Sequence, residues 1–547
     1  MVPLRYAFVY SVSCHCSASS VNFIKMNKLP LELYDRIVHF VGRRIGEESL
    51  PPWEHGTLPF ALPTIAAVSR NFQQAVERLT FRNLKITTSP SDLDVFRRVL
   101  TPQRQRNLQR LTVQLWIDHL LCTTSRPQPN LYATGEERRI INERTTVHLR
   151  ELFDILAAWR LPRPSLALEV TSPPLNDKMR VKIRKAFRGE DYLRFSMVNV
   201  SDDLADFPPL PMVKELYVYS LSDHLHPHLA VSLTAKMPNV SHVDWDLSTC
   251  DTENWGLYHY MSRIWRDGLI QSIESTALPS SVEKFRFTMY VPEIRFQTLP
   301  DFIGSTSSPD PVCLALRKLT KDCAEVYIDG SVHTSLFDPL AATGIAPHKA
   351  SLAWEKVTRL EVMASIYTPD GKWLFKRDPS DGTPESPHLD LDVNHLPPGY
   401  GSTKSELDEA EEYYEEHYLD ITPVDEDGEF YSRTEVNDGP MNALLAAFAR
   451  GCGRGSAPVL RTATLESEFR NDDNWPFQVT CFAAGEAAPL GWDAEFAGGD
   501  HGAWRVFFHV GDWRPAEETL EEFRRIGRER DGCDTVVCFL PWGNFLE

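Results

Sequence analysis

Short segments with apolar residues at every second position recur along this chain, and this recurrence constrains its fold more than any other feature. Alternation of this kind is typical of a strand with one buried face. A block with helical spacing of apolar residues precedes several of these segments. The predicted strands are 108–117, 165–172, 213–221, 240–248, 282–291, 324–332, 357–366 and 459–467. The predicted helices include 91–100, 147–159, 228–237, 255–265, 312–320 and 441–451.

This order of helices and strands predicts an α/β protein. A strand, a helix and a further strand in sequence favour parallel strands with right-handed crossovers. Repeated many times, the unit gives an irregular leucine-rich-repeat-like α/β solenoid. A compact α/β domain is the alternative. Residues 475–542 contain three more predicted strands and a helix, which we interpret as a small α/β closing unit that covers the last repeat.

Residues 28–86 have a different pattern, in which a charged loop rich in Gly and Pro separates two short amphipathic helical blocks. The first block has an apolar stripe at Leu33, Ile37, Phe40 and Val41. The second block has apolar residues at Leu62, Ile65, Val68, Phe72, Ala75, Val76 and Leu79. Gly42 is predicted to end the first helix, and Ser69 to cap a new one. So much apolar surface on so small a unit indicates a docking module, and an ordinary helical subdomain is the alternative.

Several short motifs follow one another in a fixed order within this region. They are LPLEL at 29–33, Ile37 with Val38, VSR at 68–70, Phe72 and TFRNLKI at 80–86. Together they resemble the F-box, and the whole layout is similar to fungal F-box proteins with a long, weakly repetitive C-terminal region. The loop at 42–59 is longer than the family usually carries. An N-terminal helical F-box followed by the solenoid is therefore the expected architecture.

The resemblance implies a function for the chain. In this family the box binds the Skp-type adaptor of a cullin-based ubiquitin ligase, and the remainder captures a protein substrate. The implied adaptor-binding residues are Leu29, Pro30, Leu33, Ile37, Val38, Leu62, Ile65, Val68 and Phe72. Some of them must fill the module's own core. The expected chain is a non-catalytic receptor that acts by proximity. The alternatives are a binding scaffold without a ligase role and an enzyme of unknown type.

Charge limits the class of partner. A net charge of −19 argues against nucleic-acid binding, which needs cationic surfaces. Nine Lys or Arg residues nevertheless lie at 70–110, either as a solvated helical face or as a docking strip for an acidic partner. Residues 406–429 contain twelve Asp or Glu. They lie in a Pro- and Gly-rich region, 369–440, that reads as an exposed insertion or a docking strip for a basic partner, including the 70–110 region.

Histidine and cysteine patterns give little support for chemistry. His224, His226 and His228 alternate, but Pro227 favours a loop, and no Cys or Glu lies at metal-motif spacing. We therefore expect no metal and no cofactor. Cysteines are too few for a disulfide scaffold, which favours a reducing compartment.

Two further patterns have structural interpretations. The GCGRG sequence at 451–455 follows a predicted helix, whereas a phosphate-binding loop precedes one. Left-handed glycines that end the helix are the expected role of this sequence. Cys533 and Cys538 are predicted to be buried core thiols.

The N-terminal residues weakly resemble a signal peptide, but the apolar run is short and broken by Tyr and Ser. We expect a disordered or spurious leader, with Met26 as a candidate start. No segment reaches 18 consecutive apolar residues, so no membrane span is predicted, and an intracellular location, cytoplasmic or nuclear, is expected. The predicted divisions are 1–27 (leader), 28–86 (F-box-like module), 87–368 (repeats), 369–440 (insertion) and 441–547 (final repeat and closing unit).

Overall fold

Helices and strands alternate along much of the described chain, as the sequence predicts. The structure, a computed structural model, describes residues 31–44, 61–116, 135–159, 165–172, 198–200, 203–220, 225–247, 255–289, 301–303, 309–339, 352–376, 435–467, 477–489, 492 and 502–540. The helices are α1 (Leu31–Arg44), α2 (Ala61–Ala66), α3 (Arg70–Thr80), α4 (Pro90–Val99), α5 (Pro102–Asn107), α6 (Gly135–Ala157), α7 (Pro227–Ala235), α8 (Trp255–Ser275), α9 (Pro311–Thr320), α10 (Asp438–Cys452) and α11 (Glu517–Asp531). The strands are β1 (Asn83–Thr87), β2 (Arg110–Gln114), β3 (Leu166–Thr171), β4 (Val213–Tyr219), β5 (His242–Asp246), β6 (Lys284–Thr288), β7 (Glu325–Gly330), β8 (Arg359–Ala364), β9 (Phe375–Lys376), β10 (Glu435–Val436), β11 (Thr462–Ser467), β12 (Phe477–Phe482), β13 (Arg505–His509) and β14 (Val536–Phe539).

Twelve of the described strands form one sheet, in the order β1-β2-β3-β4-β5-β6-β7-β8-β11-β12-β13-β14. All neighbouring pairs from β1 to β11 are parallel. The strand β12 pairs antiparallel with both β11 and β13, and β13 pairs parallel with β14. The predicted α/β class is confirmed as a mixed fold with a large, mostly parallel sheet. The C-terminal strands extend that same sheet.

One face of the sheet forms the main core, because apolar side chains occupy matching positions in successive strands. The first apolar row contains Leu84, Leu111, Leu168, Leu216, Val243, Phe285, Val326 and Leu360. The second contains Ile86, Val113, Val170, Val218, Trp245, Phe287, Ile328 and Val362. Apart from the partly buried Leu84, these side chains are buried. The intervening residues therefore lie on the opposite face.

The helices α1, α2 and α3 pack together around a separate small core. Its buried members are Tyr34, Val38, Leu62, Phe72, Ala75 and Val76. The rings of Tyr34 and Phe72 meet edge to face, with their centroids 4.7 Å apart, a favoured geometry for aromatic pairs. As predicted, Ser69 caps α3, and its hydroxyl accepts a hydrogen bond from the Phe72 N–H at 3.3 Å. The predicted helix end at Gly42 is wrong, since α1 continues to Arg44.

The described ends of the predicted 369–440 insertion lie side by side. The strands β9 and β10 form a two-stranded antiparallel ribbon in which Lys376 is paired with Glu435. The Lys376 ammonium lies 3.2 Å from the carboxylate of Asp438, at the start of α10. The acidic run at 406–429 and the leader at 1–27 lie outside the described residues.

Two predictions about local backbone are wrong. Pro227 does not lie in a loop but opens α7, where a first-turn proline needs no N–H partner. The helix α10 ends at Cys452, and Gly453 has φ −61°, so the GCGRG sequence does not end the helix in the left-handed conformation. Close packing explains Gly451, since a Cβ there would lie 3.0 Å from the Cβ of Phe337.

Candidate functional site

An uncovered apolar edge lies on the small helical module. Leu33 on α1 is 38% exposed, and Val68, in the turn between α2 and α3, is 49% exposed. Ile37 and Ile65 are half-buried and pack against the module's core. A unit of three short helices has too little interior to bury all its apolar residues. We call these four residues, two exposed and two half-buried, the apolar edge.

The structure separates the predicted adaptor-binding residues into two groups. Val38, Leu62 and Phe72 are buried inside the module. Leu29 and Pro30 lie outside the described residues. The predicted stripe on the first helix is displaced by one position, because the buried pair is Tyr34 and Val38, whereas Leu33 faces outward. Sequence reasoning missed Tyr34 because its ring was not counted among the apolar residues.

The basic region at 70–110 is extensively paired with the chain's own carboxylates. The ion pairs are Arg78–Asp35 at 2.7 Å, Arg97–Glu151 at 2.8 Å, Arg104–Glu77 at 2.7 Å and Arg110–Glu169 at 4.0 Å. They link α3 to α1, α4 to α6, α5 to α3 and β2 to β3. Half-exposed pairs of this kind contribute modestly to stability. Four of the nine basic residues in this region thus join neighbouring elements in the described part of the chain.

The outer face of the parallel sheet carries polar and aromatic residues in matching rows. The middle row contains Lys85, Thr112, Glu169, Tyr217, Asp244, Arg286, Tyr327 and Glu361. The row beyond it contains Thr87, Gln114, Thr171, Tyr219, Asp246, Thr288, Asp329 and Met363. Acidic and aromatic residues concentrate on β3, β4 and β5. We call this group the aromatic–acidic patch: Glu169, Glu215, Tyr217, Tyr219, Asp244 and Asp246.

Hydrogen bonds and ring contacts connect the members of the aromatic–acidic patch. The Tyr217 hydroxyl donates to the carboxylate of Glu215 at 3.0 Å. The Tyr219 hydroxyl donates to Asp244 on the neighbouring strand at 3.4 Å. The guanidinium of Arg110 lies 5.4 Å from the centre of the Tyr217 ring, within the range of a cation–π contact. The patch thus already accepts one cation from the chain itself.

Burial disfavours the charged form of two carboxyl groups in the patch. Burial raises the pKa of Asp244, although the Arg286 guanidinium and His242 oppose the rise. Burial also raises the pKa of Asp246, and the neighbouring Asp244 carboxylate adds to that effect. The pKa of Tyr217 rises to about 12, mainly through burial and then through its hydrogen bond to Glu215, so the phenol stays protonated. The positive charges near Asp244 and Asp246 therefore do not fully offset the cost of burying these two carboxylates in their charged form.

The patch is not among the predicted sites, although the sequence contains a signal for it. The outward positions of the predicted strand at 213–221 are Glu215, Tyr217 and Tyr219. Those of the next strand include Asp244 and Asp246. Alternation alone assigns these residues to one face. Their contact across strands depends on the register of the sheet, which the sequence does not give.

A buried polar cluster lies at the start of α9. Asp310 caps the helix by accepting hydrogen bonds from the N–H groups of Val312 and Cys313, each at 3.2 Å, and it pairs with Arg266. The His333 N–H donates to the Cys313 sulfur at 3.3 Å. Burial, followed by the Asp310 carboxylate, raises the pKa of the Cys313 thiol well above its ordinary value. A thiol held in this form is a poor nucleophile, so the cluster connects helices and does not provide a reactive cysteine.

A cleft of about 280 Å³ lies between α9, α10 and α11. Its charged lining is engaged in structural contacts. Arg317 donates to the backbone carbonyls of Leu336, Phe337 and Leu352, and burial lowers its pKa to about 10. Arg450 pairs with Asp338. The Arg317 and Arg450 side chains of the cleft are thus held in contacts within the chain.

The histidine and cysteine predictions have separate outcomes. His226 caps α7, its ring accepting a hydrogen bond from the His228 N–H at 3.2 Å, whereas His224 lies outside the described residues. Within the described ranges, no group of three or more His, Cys, Asp or Glu side chains is arranged to hold a metal ion. Cys538 is buried as predicted, but the prediction for Cys533 is wrong, because it is exposed in the turn after α11.

Comparison with known proteins adds no family assignment. No protein-family model matches the chain, and no curated protein matches it. Among the helices in the described part of the chain, none combines the length and apolar character needed to cross a bilayer. The candidate functional surfaces are therefore the apolar edge of the helical module and the aromatic–acidic patch on the sheet.

Proposed function

We propose that this chain is a non-catalytic substrate receptor of a Skp–cullin–F-box type ubiquitin ligase. The apolar edge of residues 28–86 binds the Skp-type adaptor, and the sheet presents a surface to a protein substrate. The observation that carries the proposal is the exposure of Leu33 and Val68 on a three-helix module whose sequence resembles the F-box. Large exposed apolar side chains next to a well-packed core are typical of an interaction site.

The order of the sheet supports the second half of this proposal. Each parallel strand is added beside the one before it, and the polypeptide passes through helical segments between several of them. We infer an irregular leucine-rich-repeat-like solenoid, in which β12, β13 and β14 close the C-terminal end. A solenoid exposes one extended sheet face, and this geometry suits the capture of a protein segment.

The test is a pull-down with the full-length chain and a purified Skp-type adaptor. We expect the double variant Leu33→Asp with Val68→Asp to lose capture, with affinity reduced at least about tenfold, because truncation of a buried interface anchor typically costs more than about 1 kcal/mol. The charged replacements also disfavour burial in the complex. Both positions are exposed, so the variant should remain folded, which circular dichroism checks.

The matched control is Val147→Asp on α6. Val147 is 63% exposed and lies outside the module, so the same chemical change there should leave capture intact. Retained capture by the Leu33→Asp and Val68→Asp variant would contradict the proposed adaptor site. Adaptor capture without a cullin in purified complexes would instead favour the role of a scaffold without ligase function.

A further inference from the structure

The aromatic–acidic patch has an excess of negative charge over the cations that face it. Four carboxylates, those of Glu169, Glu215, Asp244 and Asp246, lie on β3, β4 and β5. The cations facing them are Lys85 on β1, Arg110 on β2 and Arg286 on β6, with His242 on β5. Four carboxylates therefore face three permanent cations. This arrangement attracts a cation from outside the chain.

The tyrosines on this face are suited to bind guanidinium or ammonium groups. Arg110 lies over Tyr217, and Arg286 lies over Tyr327 with its guanidinium carbon 4.3 Å from the ring centre. Tyr219 occupies the next row and is half-buried. The protein's own side chains therefore show the geometry that a cationic ligand would adopt on this face.

A second, independent observation comes from the two strands beside Tyr219. Gln114 and Thr171 share its row, and both are more than nine-tenths buried. In the part of the chain that the structure describes, the Gln114 Nε2 and Thr171 Oγ1 atoms have no hydrogen-bond partner. Buried polar atoms without partners are rare and mark places where a ligand can supply the missing contact.

Trp116, just after the end of β2, is a candidate anchor for a partner protein. It lies two residues beyond Gln114, after the buried Leu115, and is 45% exposed. Alternation therefore assigns it to the same face as Gln114. Exposed Trp residues are typical of protein interfaces, where aromatic anchors supply much of the binding energy.

We propose that the aromatic–acidic patch binds an extended Lys- or Arg-bearing segment of a partner protein, with one cationic side chain held between Tyr219 and Asp246. The backbone of the segment would satisfy the polar atoms of Gln114 and Thr171. Charge complementarity determines the choice of partner, because an acidic sheet face repels nucleic acid and acidic peptides. This inference deepens the receptor role proposed above, since it names the chemistry of the captured segment.

The test uses the purified full-length chain and no adaptor. The probe is a fluorescein-labelled peptide of five Arg-Ser repeats, and the measurement is fluorescence anisotropy at 0.15 M salt. We expect the Asp244→Asn and Asp246→Asn double variant to weaken binding about tenfold or more, since two nearby carboxylates are lost. Tyr219→Leu should weaken binding about threefold or more, because a cation–π contact is removed.

A control variant separates a local site from overall net charge. Glu518→Gln with Asp531→Asn removes the same two charges from exposed positions on α11, far along the chain from the patch. We expect this variant to bind the peptide within about twofold of the unmodified chain, because distant exposed charges are largely screened. Equal losses in the two double variants, or no loss in either, would overturn the proposal.

Two further readouts keep the result interpretable. The Asp244→Asn and Asp246→Asn variant should melt no earlier than the unmodified chain, so weaker binding cannot be attributed to unfolding. It should also retain adaptor capture, whereas the Leu33→Asp and Val68→Asp variant should retain peptide binding. Failure of the peptide test thus leaves the adaptor test unaffected, and the reverse also holds.

Discussion

The helical module and the sheet differ in how completely they bury their apolar residues. Among the described residues of the module, six are buried in its core, and Leu33 and Val68 remain exposed. In the sheet, two apolar rows are buried almost completely, and the opposite face carries charge and aromatic rings. A small unit cannot enclose all of its apolar residues, whereas a long sheet covered on one face can. The module therefore presents an apolar surface, and the sheet presents a polar one.

This difference implies two kinds of binding. Association through the apolar edge would depend on removing apolar area from water, which salt does not weaken by charge screening. Association through the aromatic–acidic patch would depend on charge and would weaken as salt is raised. The receptor role proposed above would use the first kind of binding for the adaptor and the second for the substrate.

The largest expected effect tests whether the two regions are independent. Phe72→Ala removes the ring that packs on Tyr34 and should destabilise the module by about 3–5 kcal/mol. We expect faster hydrogen exchange of the amides in α1, α2 and α3, with little change in the strands. Leu216→Ala, in the main core, should lower the free energy of unfolding by about 2–5 kcal/mol. This variant should speed hydrogen exchange in the strands instead.

The matched control for these variants is Val147→Ala at an exposed position, with an expected change within about 0.5 kcal/mol. Equal loss of protection in module and sheet after Phe72→Ala would show that the two fold as one unit. The core of the module would then not be independent of the main core of the sheet.

A smaller effect is expected at the start of α3. Ser69→Ala removes the side chain that accepts from the Phe72 N–H and should destabilise the module by about 1 kcal/mol. Ser69→Asp should keep nearly full stability, because Asp caps helices as well as Ser does. Hydrogen exchange in α3 measures both. Equal destabilisation by both substitutions would show that the cap hydrogen bond is not the source of the effect.

The smallest expected effect is a gain in stability on the sheet. The pKa of Asp244 is raised in the folded state, mainly by burial, so ionisation of this carboxyl opposes folding at neutral pH. Asp244→Asn should therefore raise the melting temperature at pH 7. As pH falls from 7 towards 4, the folded carboxyl takes up its proton, and the gain should shrink. A gain that stays constant over this pH range would contradict the assigned cause.

Periodicity in the sequence was sufficient to predict most of the fold. Apart from β1, most of which falls within the predicted helical module at 28–86, the strands of the parallel sheet, the C-terminal strands and the helix at 518–530 lie where alternation or helical spacing indicates them. These patterns are local, because each depends only on which residues face the core within one element. The cap at Ser69 was predictable for the same reason.

The predictions from sequence are wrong or incomplete where the conformation depends on packing between segments that are distant in the chain. The spacing predicts an apolar stripe through Leu33, but it does not predict that Tyr34 fills the module's core by packing on Phe72 from another helix. The exposure of Cys533 and the extended conformation of Gly453 likewise depend on neighbours that the local sequence does not reveal. Local propensity gives way wherever tertiary contacts are stronger.

The order of helices and strands, the side of each strand that meets the core and the apolar surplus of the first module were all determined by the sequence alone. Only the tertiary structure decided that Leu33 and Val68 remain uncovered, and that Tyr219 and Asp246 become neighbours across two strands. The physical reason is that burial patterns are set within each element. Surfaces are instead assembled by strand register and helix packing among segments far apart in the chain.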